Sequence, residues 1–172
     1  MAPIYCSGPW QTFPPMERWI QFEDVFNRNK PSMFAKGNTG KDVGRIWNTI
    51  KECAYIGVDE RVILAIIMQE IHGDVGARTT YSGSGRIATS GVIQCYRCPG
   101  YEGKHGLSQA AITDMSRKGT EHFKQNLRHY GDKRSGESIY PALREYNSDN
   151  VKSGNVNYGN LSDGRGAAPE CQ

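Results

Sequence analysis

The chain has 172 residues, 37% of them apolar and 23% charged, with a net charge of +3. That length supports one domain with a substantial core, and those fractions exclude a disordered chain or a coiled coil. The positive excess is too small to argue for a nucleic-acid partner, so none is expected, and it is compatible with an anionic polymer such as a cell wall.

No stretch approaches the roughly 20 apolar residues of a membrane span, so no membrane insertion is expected. MAPIYCSGPW lacks a charged and then an apolar region, so it does not read as a signal peptide. The expectation is a secreted, extracellular protein whose signal has been removed. Five cysteines, Cys6, Cys53, Cys95, Cys98 and Cys171, fit a secreted disulfide protein about as well as an intracellular one with idle thiols. An odd number leaves at least one thiol unpaired within the chain. Connectivity does not follow from sequence; a Cys6–Cys53 bridge is the working expectation.

Residues 1–14 read as an extended arm, because Pro3, Pro9 and Pro14 block helix. Pro15 opens a predicted helix to about Asn29, striped by Trp19, Phe22, Val25 and Phe26. Lys30 to Gly40 reads as a loop around Pro31. A second helix is predicted from Lys41 to about Ile56 and stops at Gly57. The third lies in the stretch Val58–Asp74, is ended by Gly73, and is apolar all round from Val62 to Met68, the mark of a buried helix. Its last turn turns polar at Gln69, Glu70, His72 and Asp74. Arg78 to Ser90 is a hairpin or a simple loop, Gly91–Gln94 a short apolar step, and the segment from Cys95 to Gly106 a compact loop. Helices follow from Ser108 to Leu127 and from Ser138 to Asn147. Residues 154–172 are coil-like. Nothing repeats, so 1–172 is read as a single domain.

A buried helix that ends in one carboxylate suggests a catalytic acid. Apolar surroundings disfavour the charged form, and a glycosidic leaving oxygen needs a Glu that keeps its proton. The plainer alternative is a Glu that caps or salt-bridges at a helix end. Most glycosidases use two carboxylates; Asp74 is the nearest second acid, and a loop-capping role fits it equally. His72 lies either beside a substrate or simply at a helix end. His122 falls on the apolar stripe of its helix and reads as a core histidine.

The four histidines lack zinc-ligand spacing, so no metal and no cofactor are expected. Cys95-x-x-Cys98 has no second pair and no βαβ context, so a structural disulfide is favoured over redox chemistry. Gly83-Ser84-Gly85 is too weak a pattern for phosphate binding, and no nucleophile elbow is present. Tyr81, Tyr96, Tyr101, Tyr140, Tyr146 and Asn147 supply the aromatic faces and amides that suit sugar rings.

Three segments, in order and at matching spacing, resemble the goose-type lysozyme and lytic transglycosylase superfamily (glycoside hydrolase family 23 and its relatives). They are Ile66-Ile67-Met68-Gln69-Glu70, Gly91-Val92-Ile93-Gln94 and Glu145-Tyr146-Asn147-Ser148, spread over about half the chain. The wider text looks like secreted fungal members of that group, which include muramidases and chitin-active or effector proteins. The resemblance implies a mainly α, lysozyme-like fold around a buried central helix, with a small loop or β-hairpin region. It implies Glu70 as general acid, Gln94 lining a sugar cleft, Tyr146 hydrogen-bonding near Glu70, and Asn147 bracing a loop. His72, Asp74 and Tyr96 complete the candidate substrate-binding set.

Three positions depart from the family pattern: Ile71 where many members have Ser, Asp149 in place of a Gly, and Tyr96 where goose-type lysozymes carry an acid. With that acid missing, the implied mechanism uses Glu70 alone, assisted by the substrate's own N-acetyl group. The expected function is a glycosidase cleaving β-1,4 links between N-acetylated amino sugars. Its expected partner is a polysaccharide, peptidoglycan first and chitin second, and the protein is expected to act as a monomer. A glycan-binding effector without turnover is the competing reading.

Overall fold

A computed structural model of the chain describes residues 9–82 and 87–148, with only the backbone at Ser82, Ile87 and Ser148. The described part is mainly helical: α1 (Phe22–Ala35), α2 (Gly40–Cys53), α3 (Glu60–Ile71), α4 (Gln109–His129) and α5 (Gly136–Ser148). A small antiparallel sheet of β1 (Thr80–Ser82), β2 (Ile87–Ser90) and β3 (Cys95–Tyr96), in that order, fills the gap between α3 and α4.

Local chemistry starts these helices where the sequence signals it. Thr39 and Asp42 form a reciprocal capping box on α2, Asp59 accepts from the Arg61 N–H at the head of α3, and Ser108 accepts from the Ala111 N–H at the head of α4. Such caps satisfy backbone N–H groups that the helix itself leaves open. Gly57 ends the turn after α2 with φ +94°, a conformation that costs glycine little.

α3 is the buried axis. Every residue from Val62 to Met68 is buried, and Ile67 and Met68 are fully so. It packs against α1 and α2, while α4 lies along α2 and α5 along α4. Each large side chain hidden this way contributes about 1.5–3 kcal/mol of burial free energy. The apolar-all-round pattern is therefore explained: neighbours cover every side of the helix.

Two predicted boundaries move. The helix expected from Pro15 starts only at Phe22; before it stands a 3-10 turn at Met16–Arg18, after which Trp19 is extended with ψ 141°. Trp19 is held by tertiary bonds instead: its indole Nε1 donates to the Pro14 carbonyl at 3.1 Å and to the Tyr140 hydroxyl at 3.2 Å. The Tyr140 hydroxyl also donates to the Pro14 carbonyl at 2.6 Å, and Phe13 stacks on its ring at 4.6 Å. The described end of the arm is thus fastened to α5. Conversely, α1 runs straight through Pro31, where a loop was expected. The carbonyl facing the proline ring belongs to exposed Asn27, where water can bind it, and Met33 beyond it is completely buried. That burial offsets the cost of a proline inside a helix.

Cysteine pairing also differs from expectation. Cys53 is a free, buried thiol on the inner face of α2, so it does not bridge to Cys6, which lies outside the described residues. Burial pushes its pKa up to about 11, partly countered by a hydrogen bond with Thr120. Cys95 and Cys98 do sit at disulfide distance, with Cα atoms 5.4 Å apart, clamping the loop beyond β3. Gly83–Gly85, Asp149, residues 154–172 and Cys171 fall outside the described residues. Among the described residues no helix is long and apolar enough to cross a membrane.

Candidate functional site

Glu70 occupies the last turn of α3, two residues past the fully buried Met68. Its side chain is half-buried, and among the described residues it has no hydrogen-bond or ion-pair partner. Burial alone therefore acts on it and raises its pKa above the ordinary Glu value. A carboxyl in that state keeps its proton to higher pH than an exposed one and can donate it.

Tyr146, from the last turn of α5, stands beside it. Burial raises the Tyr146 pKa, and the Glu70 charge raises it further, so the hydroxyl stays protonated. That hydroxyl donates to the Ile93 carbonyl at 2.9 Å. The ring lies 5.3 Å from that of His122 and 6.1 Å from that of Phe123. Gly119 makes the approach feasible: a Cβ there would stand 2.1 Å from Ile93 Cγ2 and 3.1 Å from the Tyr146 oxygen.

Ile93 leads into Gln94, which has a left-handed backbone with φ +46°. Such a conformation is uncommon outside glycine. The Gln94 amide is braced on both ends. Its Nε2 donates to the Gly91 carbonyl at 3.1 Å, and its Oε1 accepts from the Thr80 hydroxyl at 3.1 Å. Gly91 cannot be larger here, since a Cβ would meet the Pro99 carbonyl at 2.9 Å. The fold thus brings together Glu70, Tyr146 and the Ile93–Gln94 turn from three separate elements.

The other predicted residues are placed differently. His72 is left-handed, φ +56°, and its Nδ1 lies 2.9 Å from the Met68 carbonyl, so the ring folds back on the end of α3. Asp74 Oδ1 accepts from the Gly76 N–H at 2.8 Å and lies 3.4 Å from His105 Nε2, which closes the turn after α3. Tyr96 is half exposed on β3 with the Arg97 guanidinium 5.0 Å over its ring. Asn147 is exposed in the last turn of α5 and its side chain makes no hydrogen bond among the described residues.

His122 is a correction: it is exposed on α4, against Tyr146, and not in the core. Its spacing from Met115 and Gly119 put it on the stripe, but α5 packs over Phe123 and leaves His122 at the edge. Sequence reasoning also missed Thr80 and Thr89, whose hydroxyls lie 2.6 Å apart beside Gln94. Strand register could have found them only if the hairpin had been assigned. Among the described residues no group of three or more His, Cys, Asp or Glu could hold a metal ion. No protein-family model, curated protein or solved structure matches the chain.

Proposed function

We propose that this chain is a glycosidase of lysozyme-like fold that cleaves β-1,4 links between N-acetylated amino sugars. Glu70 is the general acid. One observation carries the proposal: a half-buried carboxyl with no hydrogen-bond or ion-pair partner among the described residues, at the end of the most buried helix and with its pKa raised. A structural Glu would be paired or solvated, because an uncompensated buried carboxylate destabilises the fold. The segments Ile66–Glu70, Gly91–Gln94 and Glu145–Ser148 add the resemblance to goose-type lysozymes and transglycosylases.

In this reading Glu70 protonates the leaving oxygen while the substrate's N-acetyl oxygen assists at the anomeric carbon. Glu70 then removes a proton, either from water or from the sugar's own 6-hydroxyl, and the second route gives an anhydro product. Tyr146 keeps the Ile93–Gln94 turn against the acid. The protein works outside the cell, as a monomer, on peptidoglycan or on chitin.

The test compares the protein with Glu70→Gln on bacterial cell walls and on chitin oligomers, with fragments analysed by mass. Cleavage by the native protein and none by the variant supports the assignment. Equal cleavage by both removes Glu70 from the mechanism. Retained binding without cleavage by either supports the effector reading. Fragments one water lighter identify a transglycosylase.

A further inference from the structure

A row of polar side chains runs from the candidate site across one face of the small sheet. Thr80 on β1 pairs with Thr89 on β2, and Thr89 pairs with Tyr96 on β3. Directly opposed residues in antiparallel strands share a face. Two strand spacings separate the ends of the row, about 10 Å. The Thr80 hydroxyl touches the Gln94 amide, and Gln94 follows the Ile93 carbonyl that holds Tyr146 beside Glu70. The row therefore starts at the Gln94 amide, one residue on from the carbonyl that anchors Tyr146, and ends at the far edge of the sheet.

At that edge Tyr96 exposes half its surface, and the Arg97 guanidinium lies over the ring. Arg97 is exposed and has no carboxylate partner among the described residues. It also holds a left-handed backbone, φ +53°, with its N–H bonded to the Ala88 carbonyl at 3.1 Å, so the chain is fixed where the guanidinium is presented. Arg78, at the other end of the row, is almost fully exposed; its carbonyl accepts from Gln94 Nε2 at 3.4 Å, and its nearest acid, Glu102, is 3.9 Å away. Two hydroxyls and a tyrosine ring suit sugar rings, and a guanidinium held over that tyrosine with no carboxylate partner among the described residues suits a carboxylate.

We propose that Thr80, Thr89 and Tyr96 form a glycan-binding strip leading away from Glu70, and that Arg97 makes it select glycans bearing carboxylate substituents over neutral ones. This rests on the glycosidase reading for the location of the bond cleaved, but not for the binding itself. Arg97 determines specificity and takes no part in bond breaking.

Binding is measured on Glu70→Gln, by calorimetry, with two probes: the neutral N-acetylglucosamine disaccharide and the disaccharide in which one unit carries a lactyl carboxylate. The carboxylated probe is expected to bind about threefold to fivefold more tightly at low salt, the scale of an exposed ion pair, with the advantage shrinking as salt rises. Adding Arg97→Gln should bring the ratio of the two dissociation constants to about one, and Tyr96→Ala should weaken both probes. An unaltered ratio in a folded Arg97→Gln variant overturns the selection, as does a neutral probe that binds more tightly from the start. Failure of both probes to bind overturns the strip. Selective binding by Glu70→Gln, with no cleavage of any polymer by the native protein, leaves the strip standing and removes the glycosidase reading.

Discussion

The Tyr146 hydroxyl donates to the Ile93 carbonyl at 2.9 Å, joining residues 53 apart in sequence. That bond ties α5 to the turn that presents Gln94 and sets the tyrosine beside Glu70. Tyr146→Phe removes the donor and leaves the carbonyl without it. The expected cost is about 1 kcal/mol of stability, read as a lower midpoint in urea, together with about a tenfold loss of cleavage rate as the turn loosens. Full stability and full activity in Tyr146→Phe would show that the bond positions nothing.

Glu70→Gln is expected to lose at least about 100-fold in cleavage, the usual worth of a general acid. Its stability should move the other way. The folded-state pKa of Glu70 lies above its unfolded value, so its favourable contribution is complete below the unfolded pKa and is lost as pH rises through the folded one. At neutral pH the amide variant should therefore match or exceed the native protein in thermal midpoint, and at acid pH that advantage should vanish. The cleavage rate of the native protein should fall as pH rises through the same titration. A rate that is flat across neutral and alkaline pH contradicts the acid role.

Asp59 behaves oppositely. Burial would raise its pKa, but the Arg61 and Arg134 side chains and the Arg61 N–H outweigh that and hold it below the ordinary value. Its side chain is 2% exposed, with Arg134 at 2.7 Å and Arg61 at 2.8 Å. It contributes stability above its unfolded pKa, and that contribution is lost as pH falls through the lower folded value. Asp59→Ala removes a helix cap and leaves Arg61 without its acid, for an expected loss of about 3 kcal/mol. Denaturation of the variant should show a weaker loss of stability in acid than the native protein does.

Gly119→Ala should destabilise by about 1–3 kcal/mol, because the new methyl collides with Ile93 at 2.1 Å. Helix propensity argues for the reverse, since alanine favours a helix interior over glycine by about 1 kcal/mol. A more stable variant would mean that Ile93 can retreat, and Tyr146 should then lose its bond and the cleavage rate should drop. Thermal melting and rate, measured on the same preparation, separate the two outcomes.

Much of the helical frame was legible because its causes are local. Ser108 opens one helix and Gly57 closes the turn after another where each stands in the sequence, and the run Val62–Met68 can only be covered on all sides. Trp19 and Pro31 misled for the opposite reason. The first obeys bonds to Pro14 and Tyr140, and the second is carried by the burial of Met33, none of which helical spacing reveals. His122 was misread because periodicity marks a stripe without saying where the neighbouring helix ends.

The sequence by itself determined that one carboxylate stands at the end of a buried helix, since an unbroken apolar run and its polar stop are properties of consecutive residues. Only the tertiary structure decided what faces that carboxylate. Tyr146, held by the Ile93 carbonyl, and the Thr80–Thr89–Tyr96 row that leads away from Gln94 come from elements far apart in the chain. Their meeting depends on helix packing and strand register, which are set by the shape of the whole core rather than by any one segment.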